Sequence, residues 1–142
     1  LQSYNTMTAS WGGMGVLWNK NVCFVFVRFQ RYTYKFMEET DTFSLCFFDE
    51  KYRDALNLCG TRSGRTTDKA KETGLTPVSD GTKSVYFQEA CLVSACRKIY
   101  YQDLNPRQFA DKSIHEHYGA KDYHRMYAGE IIQCLEKDAQ EG

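Results

Sequence analysis

Hydrophobic alternation divides the chain into strands with short helices between them. The clearest apolar run is Asn21 to Phe29, with Val22, Phe24 and Phe26 on one face and Cys23, Val25 and Val27 on the other. Apolar residues on both faces predict a strand buried on both sides. Leu1 to Trp11 alternates loosely without Gly or Pro and predicts a strand, which Gly12, Gly13 and Gly15 then break. After a turn at Gln30-Arg31, Tyr32, Phe36, Met37 and Thr40 form a helical stripe, with Thr33 as a cap near its start. Thr42 to Phe48 predicts another strand. Asp49 suits the N-cap of a helix with the stripe Tyr52, Ala55, Leu56 and Cys59, stopped by Gly60.

Beyond Gly60, Thr61 to Lys71 is polar and basic, and a short helix is expected from Thr67 to Thr73, ended by Gly74 and Pro77. Ser84 to Leu104 is long for one strand and predicts a bent strand or a hairpin pair. Asn105-Pro106 closes it and suits a helical turn. His115 to Tyr123 is irregular on pattern. Arg125 to Leu135 predicts a final strand with Met126, Ala128, Ile132 and Cys134 on one face. The sum is a mainly β fold, an antiparallel barrel or sheet with short helices, rather than a parallel α/β fold. No internal repeat or domain boundary is visible in the 142 residues, which suit one domain.

Composition narrows the function classes. Eighteen Lys plus Arg balance 18 Asp plus Glu, so no general pull towards nucleic acid or a membrane surface is expected. A hydrophobic fraction of 42% excludes intrinsic disorder. Ten Tyr, nine Phe and two Trp suit a β-rich core, an interface or a planar ligand. The apolar run Val22 to Val27 is too short to span a bilayer, and the opening residues do not form a charged-then-apolar leader. Six Cys without a C-x-x-C motif read as reduced, buried small hydrophobes in a reducing, cytoplasmic setting.

The common catalytic templates fail. Gly13-Met14-Gly15 lacks the third glycine of a dinucleotide fingerprint, and neither a phosphate-loop motif nor a G-x-S-x-G elbow occurs. His115-Glu116-His117 lacks H-E-x-x-H spacing and reads better as a solvated loop than as metal ligands. Three other segments hold candidate chemistry. Asn5-Thr6-Met7-Thr8-Ala9-Ser10-Trp11 sets a row of amide and hydroxyl groups before a ring that can stack. It also suits a plain edge strand with a polar face. Arg31-Tyr32-Thr33 opens a helix with an Arg fork and a hydroxyl, as an anion site or as an exposed turn with a capping Thr. Cys59-Gly60-Thr61-Arg62-Ser63-Gly64-Arg65 with Asp68-Lys69 concentrates positive charge on a glycine loop, as an anion cradle or a solvated basic loop.

These segments, in this order, resemble the flavin reductase-like family of FMN-binding split barrels, which includes flavoredoxin. Gly12-Gly13 and Gly15-Val16-Leu17-Trp18, Phe43-Ser44-Leu45, Gly74-Leu75-Thr76-Pro77, Tyr123-His124-Arg125 and Gly129-Glu130-Ile131 extend the match over almost the whole chain. The resemblance implies a homodimeric antiparallel Greek-key split barrel that binds FMN without a covalent bond. It assigns Asn5, Thr6, Met7, Thr8, Ala9, Ser10 and Trp11 to the isoalloxazine and phosphate. Arg31, Tyr32 and Thr33 fall to the phosphate end, and Ser63, Gly64, Arg65 and Lys69 to a loop closing over the flavin. NAD(P)H or a redox protein would supply electrons, and an acceptor would take them. The other readings are an FMN electron carrier without a nicotinamide site and a flavin-free dimeric interaction domain. His124 is a candidate proton donor or a structural residue at a strand start; no catalytic side chain and no metal are assigned. Family members carry a further strand before the Asn-Thr-Met-Thr motif, so this chain reads as one domain over residues 1–142 that begins a strand late.

Overall fold

The structure is a computed structural model that describes residues 4–79 and 84–138. Strands β1 (Gly12–Leu17) and β2 (Lys20–Arg28) form a hairpin in which Leu17 faces Lys20. Its two-residue turn places Trp18 and Asn19 at φ of 55° and 58°, matching the right-handed twist of the strands. Helix α1 (Tyr32–Glu39), strand β3 (Thr42–Phe47) and helix α2 (Arg53–Thr61) follow. After α3 (Lys69–Thr73), β4 (Pro77–Val78) and β5 (Tyr86–Phe87) make a small ladder. The long strands β6 (Leu92–Asp103) and β7 (His124–Glu136) complete an antiparallel sheet in the order β1-β2-β7-β6-β3. The architecture is therefore mainly β and antiparallel with short helices, as the alternation predicts. No helix among the described residues is long and apolar enough to cross a membrane.

The core lies where α1 covers the middle of the sheet. Val25 and Val27 of β2, Met37 of α1 and Tyr127 of β7 are buried together, with Met7, Tyr34, Phe43 and Leu45 packed on them. The face of Cys23, Val25 and Val27 is fully buried, while Phe24 and Phe26 on the other face are half-buried. Tyr127 is wholly buried, and its hydroxyl donates to Glu38 at 2.6 Å. Arg125 bridges the same Glu38 to Asp103. Its guanidinium also lies 4.7 Å from the Tyr101 ring centroid.

Several local expectations change. Residues 4–11 are not a strand, and the glycines expected to break one instead form the edge strand β1. A Cβ on Gly12 would stand 2.2 Å from the Phe24 carbonyl oxygen at a φ of +137°, so glycine is needed for close pairing rather than for a break. Thr33 does not cap α1, whose N-cap is Arg31 without a side-chain bond. Asp49 does precede a helical turn, at Glu50–Tyr52, but its side chain makes no cap bond. Gly60 lies inside α2 rather than after it. Ser84 to Leu104 resolves into β5 and a bulged β6, and Lys112–Tyr118 forms 3₁₀ turns where irregular chain was expected.

A second bulge corrects the last strand. Cys96 pairs with Ile131 but its neighbour Ala95 pairs with Gln133, so Ile132 is an extra residue. One extra residue reverses the alternation, which puts Cys134 on the opposite face from Ala128. Accordingly Ile132 and Cys134 are exposed. Of the cysteines, only Cys23, Cys59 and Cys96 are buried; Cys46 and Cys91 are half-buried, and all six are free thiols.

Gly129 marks another close approach in the sheet. A Cβ there would meet Phe43 Cζ at 2.5 Å and Cys96 Cβ at 2.8 Å. Gly129→Ala is expected to lower stability by about 1–3 kcal/mol through overpacking, read from urea unfolding.

Candidate functional site

Three segments distant in sequence meet around a small pocket of about 120 Å³. Asn5, residues 30–33, residues 61–65 and Lys69 line it. The start of α1, without a side-chain cap, supplies one wall. Asn5 Nδ2 donates to Thr33 Oγ1 at 3.0 Å, which ties the first segment to that helix start. Arg31 Nη1 reaches the Gly60 carbonyl at 3.4 Å. Arg65 Nη1 donates to the Gln30 carbonyl at 3.1 Å, and its guanidinium lies 5.0 Å from the Tyr32 ring centroid. The loop folds on itself where Arg65 N donates to Ser63 Oγ at 3.1 Å. Gly64 is forced: a Cβ there would lie 2.2 Å from Asn5 Oδ1 and 2.9 Å from Tyr32 Cδ2.

Lys69 closes the rear of this pocket. It is 5% exposed, and its Nζ donates to the Thr6 carbonyl at 2.7 Å and the Cys59 carbonyl at 2.9 Å. Burial pushes its ammonium below the ordinary lysine value, and the positive Arg31 acts in the same direction. Arg31, Arg62, Arg65 and Lys69 all line the pocket, and among the described residues no Asp or Glu does. Guanidinium forks, an ammonium, hydroxyls and helix-start amides are the donor set of a phosphate site.

Asn5 and Thr33 also line a second, larger cleft of about 640 Å³. Residues 4–14 form one part of the lining; Phe24 to Val27, Phe36, Met37 and β3 supply much of the rest, most of it apolar. The chain of residues 4–11 is fixed there by side chains, since Thr8 Oγ1 donates to the Leu56 carbonyl. A Cβ on Gly60 would lie 3.2 Å from Thr8 Cβ, so the helix surface must be small at that point. Trp11, 46% exposed, stands at the end of the segment between His117 and His124, with ring centroids 5.4 Å and 5.1 Å away. The Tyr118 hydroxyl and His124 Nδ1 share a hydrogen bond of 2.6 Å.

Of the sequence-predicted residues, Asn5, Arg31, Tyr32, Thr33, Ser63, Gly64, Arg65 and Lys69 meet at the small pocket. Thr6, Met7, Thr8, Ala9, Ser10 and Trp11 line the cleft instead. His124 starts β7 as a buried, hydrogen-bonded residue behind Trp11, the structural role weighed for it. His115 and His117 do not act together: one packs on Phe109 and the other on Trp11. The sequence pattern does not show that Gln30 and Gly60 accept hydrogen bonds from the site's arginines. Neither carries a side-chain signal, because each acts through its backbone oxygen.

Residues 2–142 match the family described as flavin reductase like domain. The chain belongs to that family. Flavoredoxin from Methanosarcina acetivorans superposes with a TM-score of 0.75 at 21% identity, over 94% of this chain and 62% of that one. An FMN-binding protein from Thermus thermophilus, solved with bound p-hydroxybenzaldehyde, gives 0.75 at 17% identity, over 95% and 65%. A Shewanella frigidimarina protein with a split barrel domain gives 0.73 at 16% identity, over 94% and 60%. At these identities the likeness is one of fold, and it places the flavin reductase-like chain among split barrels. The chain spans less than two thirds of the length of each of these three structures. A comparison with curated proteins finds no match.

Burial, with Arg28 adding to it, holds the His124 imidazole below the usual value of 6.5. The unfolded chain then binds the proton first as pH falls, so folding stability drops as pH is lowered through 6.5 towards the depressed value. An NMR titration should show His124 protonating below 6.5, and His124→Phe should flatten that part of the stability profile.

Proposed function

We propose that this flavin reductase-like chain binds FMN and passes electrons from NAD(P)H or a protein donor through it to an acceptor. The observation that carries this reading is the small cationic pocket sharing Asn5 and Thr33 with a large apolar cleft. A phosphate at one end and a flat ring at the other match that pairing. Asn5, Arg31, Tyr32, Thr33, Ser63, Gly64, Arg65 and Lys69 hold the phosphate end; Thr6, Met7, Thr8, Ala9, Ser10 and Trp11 hold the ring. When bound, FMN supplies the hydride and electron chemistry, so no side chain need act as nucleophile. The protein's residues bind, orient and desolvate. The pocket cations fix the phosphate, Trp11 offers a ring face, and the apolar wall of β2 and β3 keeps water away. The pocket, of about 120 Å³, has room for a phosphate group.

The functional unit is a homodimer in this reading. Met14, Val16, Trp18, Tyr100, Tyr101 and Ile132 are large apolar or aromatic residues left exposed on one chain. A second copy would cover part of that surface. The free thiols fit a reducing cytoplasm.

Adding FMN to the purified protein should perturb the flavin absorption bands and give saturable binding. Arg31→Ala should weaken binding by about 1.5–3 kcal/mol, roughly 10- to 150-fold in Kd, while the unfolding midpoint stays near that of the wild type. Unchanged affinity would remove Arg31 from the site. Anaerobic NADH or NADPH should bleach the bound flavin; tight binding without bleaching by either would point to an electron carrier fed by a protein. Light scattering of the FMN-loaded protein should return twice the 16.5 kDa chain mass.

A further inference from the structure

Residues 4–11 form no ladder with any strand, yet every one of them lines the large cleft. Their placement depends on side chains, and Lys69 is the most deeply buried of these. No ion pair among the described residues includes it. Two of its three N–H donors go to carbonyls, one in the unpaired segment at Thr6 and one near the end of α2 at Cys59. The C-terminal carbonyls of a helix carry partial negative charge, which is why an ammonium settles there. The third N–H has no protein acceptor among the described hydrogen bonds, and Lys69 lines the small pocket with Arg31 and Asn5.

We propose that Lys69 is a positioning residue that couples anion binding in the small pocket to the placement of residues 5–11. The proposal rests on the anion-site reading above. A buried ammonium held only by neutral carbonyls lacks a counter-charge. An anion in the pocket supplies it, takes the third N–H and favours the state in which the other two hold Thr6 against α2. The linkage is reciprocal: ordering of the segment raises anion affinity, and the anion orders the segment. The end of the site that binds phosphate thereby sets the position of the end that faces the ring.

The groups acting on Lys69 are the Cys59 thiol and the Arg31 guanidinium; Arg62 and Arg65 line the same pocket, and Asp68 caps α3 next to it in the chain. Guanidinium groups as a class do not titrate in the lysine range, so alkaline loss of coupling reports Lys69 once a Cys59→Ser variant has removed the thiol.

Hydrogen exchange on the flavin-free protein, with inorganic phosphate as probe, tests this. Saturating phosphate should slow exchange of the 5–11 amides in the wild type by about fivefold or more, with the β7 amides as an unchanged reference. Lys69→Met should exchange faster in that segment and respond to phosphate by less than about twofold, and Lys69→Arg should restore part of the response. In the Cys59→Ser variant the response should fade as pH rises into the depressed lysine range, which keeps the test valid should Lys69→Met fail to fold. Calorimetry of phosphate binding separates the failures. Phosphate that binds the wild type without slowing residues 5–11, or slows them equally in Lys69→Met, overturns the coupling and leaves the anion site standing. Phosphate and FMN that both fail to bind overturn the anion site itself, and the coupling with it.

Discussion

The site depends on one constraint: a stretch of chain that lies outside every sheet must be held by other bonds. Residues 4–11 make no ladder bonds, so hydrogen bonds to three helices hold them instead. Thr33 of α1 accepts from Asn5, the α2 carbonyl of Leu56 accepts from Thr8, and Lys69 of α3 donates to Thr6. Two tethers end in the first turn of a helix, at Thr33 and Lys69, and the third ends on the carbonyl of Leu56 within α2. The helices are short, and each makes a hydrogen bond to this segment.

Charge is arranged by the same contacts. The chain is neutral, but Arg31 and Lys69 are both drawn to the carbonyls at the end of α2. That collects positive charge at a helix C-terminus, beside the uncapped N-terminus of α1. The two helix ends therefore act in concert: one holds the cations, and the other adds amide donors. Glycine sets the spacing. Gly64 lets the basic loop touch Asn5 and Tyr32, and Gly60 lets the segment lie on α2.

Much of the sheet was legible in the sequence because strands repeat every two residues. The apolar run of β2 and the alternation of β7 gave their limits to within a residue or two. β1 is hidden from the pattern because glycine ordinarily breaks a strand, whereas here Gly12 is required by the carbonyl of Phe24. The faces of β7 were misjudged beyond Ile131 because a bulge is a property of two strands, and its partner at Ala95 and Cys96 is remote in sequence. The hydroxyl of Thr33 was read as a local cap, but it serves the distant Asn5.

By itself the sequence determined the mainly β class, the family and the residue types at the site, because these follow from short-range pattern and ordered motifs. It could nominate Arg31, Gly64, Arg65 and Lys69, since charge and glycine are visible one residue at a time. Only the tertiary structure decided that Asn5, Arg31, Ser63 and Lys69 share one pocket, and that the remainder of the Asn5–Trp11 segment turns into a separate cleft. The reason is that carbonyls such as those of Thr6, Cys59 and Gly60 carry no residue identity. They become partners only when the chain brings them to within hydrogen-bond distance of a cation.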